Sequence, residues 1–92
     1  MTNESDLARL RRLDENLRRI NADMKAHRVS RFRYRNYKGE VAVRLVAFIS
    51  IDFDSDRFHT EPQWLALGRD MEKKQDRTFA VADILEWLEE TP

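Results

Sequence analysis

The chain has no cysteine, which excludes a disulfide framework and a thiolate zinc site. Its two glycines, Gly39 and Gly68, are too few for a loop that cradles phosphate. The two histidines, His27 and His59, fall in different elements, and no metal-ligand spacing links them to other residues. There is no Gly-x-Ser-x-Gly elbow, so nothing argues for an enzyme. No apolar run approaches the roughly 20 residues that a membrane span needs. The opening, Met1-Thr2-Asn3-Glu4-Ser5-Asp6, is polar and acidic, unlike a signal peptide. These absences lead to the expectation of a soluble, cytoplasmic, non-enzymatic protein without cofactor or metal.

What is present fits one small domain over residues 1–92. Hydrophobic residues make up 41% of the chain, too many for a disordered segment. The formal net charge is zero but unevenly spread: residues 1–28 sum to +2, residues 29–48 to +4 and residues 49–92 to −6. Such asymmetry can mark a basic binding face with an acidic remainder.

Residues 5–27 read as a helix. Leu7, Leu10, Leu13, Leu17, Ile20 and Met24 recur at spacings of three and four, and Asn3 or Ser5 can cap the start. Leu10, Leu13, Leu17, Ile20 and Met24 also fit heptad positions a and d. The helix therefore either lies on its own β-domain or associates with a second copy or a protein partner. Arg11, Arg18 and Lys25, flanked by Arg12 and Arg19, form a basic stripe. Asp14 before Arg18 and Glu15 before Arg19 make a solvated, ion-paired face the simpler account.

From Val29 the period becomes two. Arg31, Arg33 and Arg35 alternate with Phe32, Tyr34 and Asn36, and Asn36-Tyr37-Lys38-Gly39 reads as a hairpin turn. The return strand, residues 40–50, is apolar except for Arg44, which is either a solvent-facing side chain or one that faces a ligand or ion partner. Asp52, Asp54 and Asp56 have calcium-loop spacing, but Arg57 stands where that loop wants glycine, leaving ordinary turn chemistry. Pro62 opens a strand led by Trp64, and Gly68 marks a bulge or bend in it. Residues 77–81 read as the last strand. Asp83 and Glu86 have capping-box spacing, which predicts a C-terminal helix over residues 83–90.

The expected fold is α+β. A long N-terminal helix precedes five short antiparallel strands in consecutive hairpins, followed by a short C-terminal helix. The strands form either a small SH3/Sm-like barrel or a strongly bent sheet.

Several of these segments together carry a family resemblance. They are Tyr34 with Asn36-Tyr37-Lys38-Gly39-Glu40; Arg44-Leu45-Val46; His59-x-Glu61-Pro62-Gln63-Trp64-Leu65; Asp70; and Arg77-x-Phe79-Ala80-Val81-x-Asp83-Ile84. Across residues 30–84 the chain resembles a WYL domain, in particular small stand-alone WYL-like proteins of bacterial and prophage genomes. It departs from the pattern in having only Trp64-Leu65 for Trp-Tyr-Leu, Phe48 where a proline is usual, and no helix-turn-helix. The resemblance implies an Sm/SH3-like barrel that senses ligands, in several cases nucleic acid, within transcriptional regulators and phage-defence systems. It points to Arg44, Trp64 and Arg77 as ligand-binding residues, with Tyr34 and His59 as neighbours. Guanidinium groups bind phosphate bidentately and aromatic faces stack bases. By area alone Trp64 and Phe79 read first as core, Tyr34 as core with its hydroxyl at the rim, and His59 as a hydrogen-bonded turn residue.

Overall fold

A computed structural model describes residues 5–89. The order is helix α1 (Asp6–Lys25), strands β1 (Ser30–Arg35), β2 (Val41–Asp54), β3 (Gln63–Asp70) and β4 (Gln75–Ala80), a single 3-10 turn (Val81–Asp83), and strand β5 (Ile84–Trp87). The expectations placed on residues 1–4, including Asn3 as a cap, and on Glu90 lie outside the described residues. Among those residues no helix is long and apolar enough to cross a membrane.

Helix α1 starts where a serine can cap it: the Ser5 hydroxyl accepts the Ala8 N–H at 3.1 Å. It ends when His27 takes the left-handed conformation (φ 52°), so that the N–H groups of His27 and Arg28 reach the carbonyls of Met24 and Asp23. Of the apolar stripe, Ile20 is fully buried while Leu13, Leu17 and Met24 pack against the core. Leu7 and Leu10 remain exposed, at 58% and 61%. In the basic stripe, Arg18 pairs with Asp14 at 3.1 Å as the spacing implies. Arg19 instead reaches Asp23 and Glu89 and lies over the Trp87 ring.

The strands form one antiparallel sheet in the order β4-β3-β2-β1-β5. The count of five is as expected, but the fifth strand is not. Ile51 and Phe53 belong to a single fourteen-residue β2. The segment read as a C-terminal helix is strand β5, paired with β1. Asp83 and Glu86 have the spacing of a capping box, yet they serve as ion partners of Arg35 and Arg33 on β1. Four residues with one polar member do not separate a helix turn from a strand. The unpaired edge of β1 and the side chain of Asn16 decide it. Asn16 Nδ2 donates to the carbonyls of Val81 (2.8 Å) and Ile84 (2.9 Å), and its Oδ1 accepts from Trp87 Nε1 (2.9 Å).

The sheet is not closed by backbone pairing, but it rolls tightly. Lying flat, β1 and β4 would stand about 14 Å apart, three strand spacings. Instead the Phe79 ring of β4 meets Tyr34 of β1 at 5.1 Å, and the Ala80 N–H donates to the Tyr34 hydroxyl at 2.8 Å. Phe32, Tyr34, Val46, Phe48, Ala66 and Phe79 fill the interior, and Ile20 and Ile84 join them.

The roll depends on a register shift between Phe48 and Ser50, next to Gly68 of β3. A Cβ at Gly68 would run into Val46 Cγ1 and press on the Phe48 ring. Gly68→Ala is therefore expected to lower stability by about 1–3 kcal/mol, the usual cost of overpacking a filled core. Urea unfolding measures this, and an unchanged midpoint would contradict the close approach.

Candidate functional site

Where the apolar filling ends, two arginines converge. Arg44 lies two residues before core Val46 on β2, and Arg77 two before core Phe79 on β4, so the pleat turns both inward. Beside them is a hollow of about 570 Å³. Its walls are the β1–β2 turn (Asn36, Tyr37), the β2–β3 loop (residues 56–59) and β4 (residues 75–79), with Tyr34 and Arg44 between.

Each wall is held by local chemistry. Asn36 Oδ1 accepts the N–H groups of Lys38 and Glu40, both at 2.9 Å, and Gly39 supplies the positive φ of 83°. This turn carries Tyr37 outward. In the β2–β3 loop, Asp56 Oδ1 accepts the N–H of Phe58 (2.9 Å) and of His59 (2.6 Å), and His59 Nδ1 lies 3.0 Å from the same oxygen. Burial would raise the Asp56 pKa, but these backbone N–H groups and the His59 ring outweigh it and hold the carboxyl below its ordinary value. His59 is thus a hydrogen-bonded turn residue, and its ring also forms part of the hollow's wall.

Beneath the arginines sits Asp70, at the end of β3 and 2% exposed. Its Oδ1 accepts from the backbone of Glu72 and Lys73, each at 3.0 Å. Its Oδ2 lies 3.7 Å from Arg44 Nη1 and 4.0 Å from Arg77 Nη1. Among the described residues, Asp70 Oδ2 and Arg44 Nε are buried side-chain polar atoms with no hydrogen-bond partner.

Tyr34, Arg44, His59 and Arg77, four of the residues singled out from sequence, therefore border one hollow. Trp64 does not. It is 38% exposed and meets Phe53 edge-on at 5.4 Å, at the far end of the β2–β3 hairpin. It is neither core nor part of this site. The Phe53–Trp64 pair lies beyond the buried part of the sheet, so the pleat gives its ring no interior to enter.

Three residues of the site were not named as ligand-binding from the sequence, although Tyr37 and Asp70 stand among the residues that carry the family resemblance. The Tyr37 and Phe58 rings stand 5.2 Å apart at the hollow, both more than half exposed, with the Arg57 guanidinium 5.4 Å from the Phe58 ring. A large aromatic inside an otherwise polar turn was the available signal for both. Asp70 stood out only as a residue of the family resemblance, because its place beneath the arginines comes from burial.

No cluster of potential metal ligands occurs among the described residues. No family model, curated protein or solved structure matches this chain.

Burial in the wall of the hollow pushes the Tyr34 phenol up from 10.0 to about 12, against the lowering effect of the Ala80 N–H. A group whose pKa is raised on folding contributes its stability in full below the unfolded value and loses it as pH climbs through the folded one. Stability should therefore hold up to about pH 10 and fall by as much as about 3 kcal/mol towards pH 12 on account of Tyr34. Tyr34→Phe should remove that alkaline loss. At neutral pH it should cost about 1–3 kcal/mol, because the buried Ala80 N–H loses its acceptor. Chemical unfolding of both proteins across this range measures both effects.

Proposed function

We propose that this protein is a non-enzymatic sensing module, regulatory in role, whose hollow takes an anionic ligand such as a nucleotide or single-stranded nucleic acid. One observation carries this reading: Arg44 and Arg77, on strands that are not neighbours in the sheet, reach one hollow beside the exposed aromatic pair Tyr37 and Phe58. Guanidinium forks match phosphate oxygens, and exposed rings offer a stacking surface to a base of any sequence. The resemblance of residues 30–84 to WYL domains points the same way. The inward roll of five strands behind an N-terminal helix, with the Tyr34–Ala80 bond drawing β1 to β4, supports an SH3/Sm-like small barrel. Trp64 has no place in this version of the site.

An NMR titration of ¹⁵N-labelled protein with short single-stranded DNA, RNA and mononucleotides, at low and moderate salt, tests the proposal. Shifts should centre on Tyr37, Arg44, Phe58 and Arg77, weaken as salt rises, and leave Trp64 still. Resonances unmoved at millimolar ligand would refute it. Arg77→Gln is the cleaner variant, because the Arg77 side chain is 37% exposed and the Arg44 side chain only 16%. It should cut affinity about tenfold, the worth of one charged hydrogen-bonding group, with little change in Tm.

A second reading, a homodimer or protein partner engaged through the N-terminal helix, draws on the exposure of Leu7 and Leu10. The rest of the heptad seam packs into the domain's own core, so only the first turns remain to be shared. Leu7→Glu with Leu10→Glu should abolish any concentration-dependent association in sedimentation without loss of fold. Association that persists in this variant would exclude the helix.

A further inference from the structure

We infer that Asp70 makes the hollow selective for singly charged oxyanions, so that it favours a phosphodiester over a phosphomonoester. This rests on the anion-binding reading above and adds the ligand's charge to it.

The charges closest to the hollow's base number three. The guanidinium groups of Arg44 and Arg77 sit over one carboxylate, Asp70, and leave a net single positive charge. The other charges in the wall offset one another: Arg57 and Asp56 carry opposite charges on the β2–β3 loop, and Asp76 pairs with Arg69 at 3.4 Å. Asp70 is 2% exposed, so water screens it poorly. A monoanion bound by the two arginines would leave the group neutral. A dianion would bring a second negative charge towards a buried carboxylate whose two arginines the first charge has already balanced.

The geometry also leaves the arginines available. At 3.7 and 4.0 Å, both contacts with Asp70 Oδ2 are longer than hydrogen bonds. Arg44 Nε, itself buried, has no hydrogen-bond partner either. The carboxylate therefore supplies its charge without occupying the donors that an oxyanion needs. Its other oxygen is clamped by the N–H groups of Glu72 and Lys73, which keeps the charge at this position.

The test uses 3′,5′-cyclic AMP and 5′-AMP, which share base and sugar but carry about one and two negative charges near pH 7.5. Affinities are read from the backbone and Arg Nε–H resonances of Arg44 and Arg77. The native protein should bind the cyclic diester on the order of tenfold more tightly, the scale of one extra charge interaction at a partly shielded site. Asp70→Asn keeps an oxygen for the two turn N–H groups and removes the charge, so it should collapse or invert that ratio. Arg77→Gln leaves Asp70 in place and should weaken AMP more than the cyclic diester, a check that survives if Asp70→Asn fails to fold. An AMP affinity equal to or above that of the cyclic diester in the native protein would overturn the inference. So would a ratio that Asp70→Asn leaves unchanged, in which case Asp70 only clamps its turn. If neither nucleotide moves the Arg44 and Arg77 resonances, the anion-binding reading falls as well.

Discussion

Opposite Phe48, Gly68 of β3 leaves the space that the Val46 side chain of β2 fills and that a side chain on residue 68 would need, and the register slips by one residue just beyond. That local geometry lets a fourteen-residue strand double over. Drawn out straight, β2 would run about 46 Å, longer than the domain's greatest extent of 40 Å. Because it bends, Tyr37 before the strand and Phe58 after it come into contact, and β4 swings across until Phe79 packs on Phe32 and Tyr34. Core and hollow are two consequences of the same bend. The aromatic residues fill the inner side of the roll, and the space they do not reach is where the arginines look inward.

Helix α1 is matched to this roll by polar atoms as much as by its leucines. Asn16 is buried with both ends of its amide engaged, and it ties the helix to the 3-10 turn, to β5 and to Trp87. About two turns later, Asp23 is fully buried and held by Ser30, Arg19 and Arg28. Hydrophobic burial alone would let the helix slide or rotate among several nearly equal seats. Buried polar groups with fixed partners penalise all but one of them. The helix is thereby committed to its own domain from Leu13 onward, which confines any partner to its first turns.

Against that background the base of the hollow is an exception. Elsewhere the buried polar groups named above are satisfied, whereas Arg44 Nε and Asp70 Oδ2 lie near each other without hydrogen bonds. Unpartnered buried atoms cost free energy, and proteins tend to carry such costs at sites of function. The Arg44–Asp70–Arg77 group is also where three strands, β2, β3 and β4, contribute one charged side chain each. Its balance of two positive charges and one negative would let a small acidic-to-neutral domain hold an anion locally, without a basic surface overall.

Much of the fold was legible in the sequence because it is dictated by near neighbours. The three-and-four spacing of leucines makes α1, strict alternation makes β1, Asn36 and Gly39 make the turn between β1 and β2, and Gly68 marks the bend. Four of the residues expected at the site, Tyr34, Arg44, His59 and Arg77, were implied by the family resemblance and do share a hollow. The errors have a common cause. The segment around Ile84–Trp87 carries a pattern compatible with helix or strand, and only the vacant edge of β1 and the amide of Asn16 choose between them. Trp64 looked indispensable by size, yet it lies beyond the buried part of the sheet, paired with Phe53, and does not reach the site. Asp70 counted only towards the family resemblance until burial placed it under two arginines. Local periodicity and turn chemistry were determined by the sequence alone, since they depend on residues a few positions apart. The pairing of distant strands, and with it the company each charge keeps, was decided by tertiary structure, because burial and electrostatics depend on what lies across the fold.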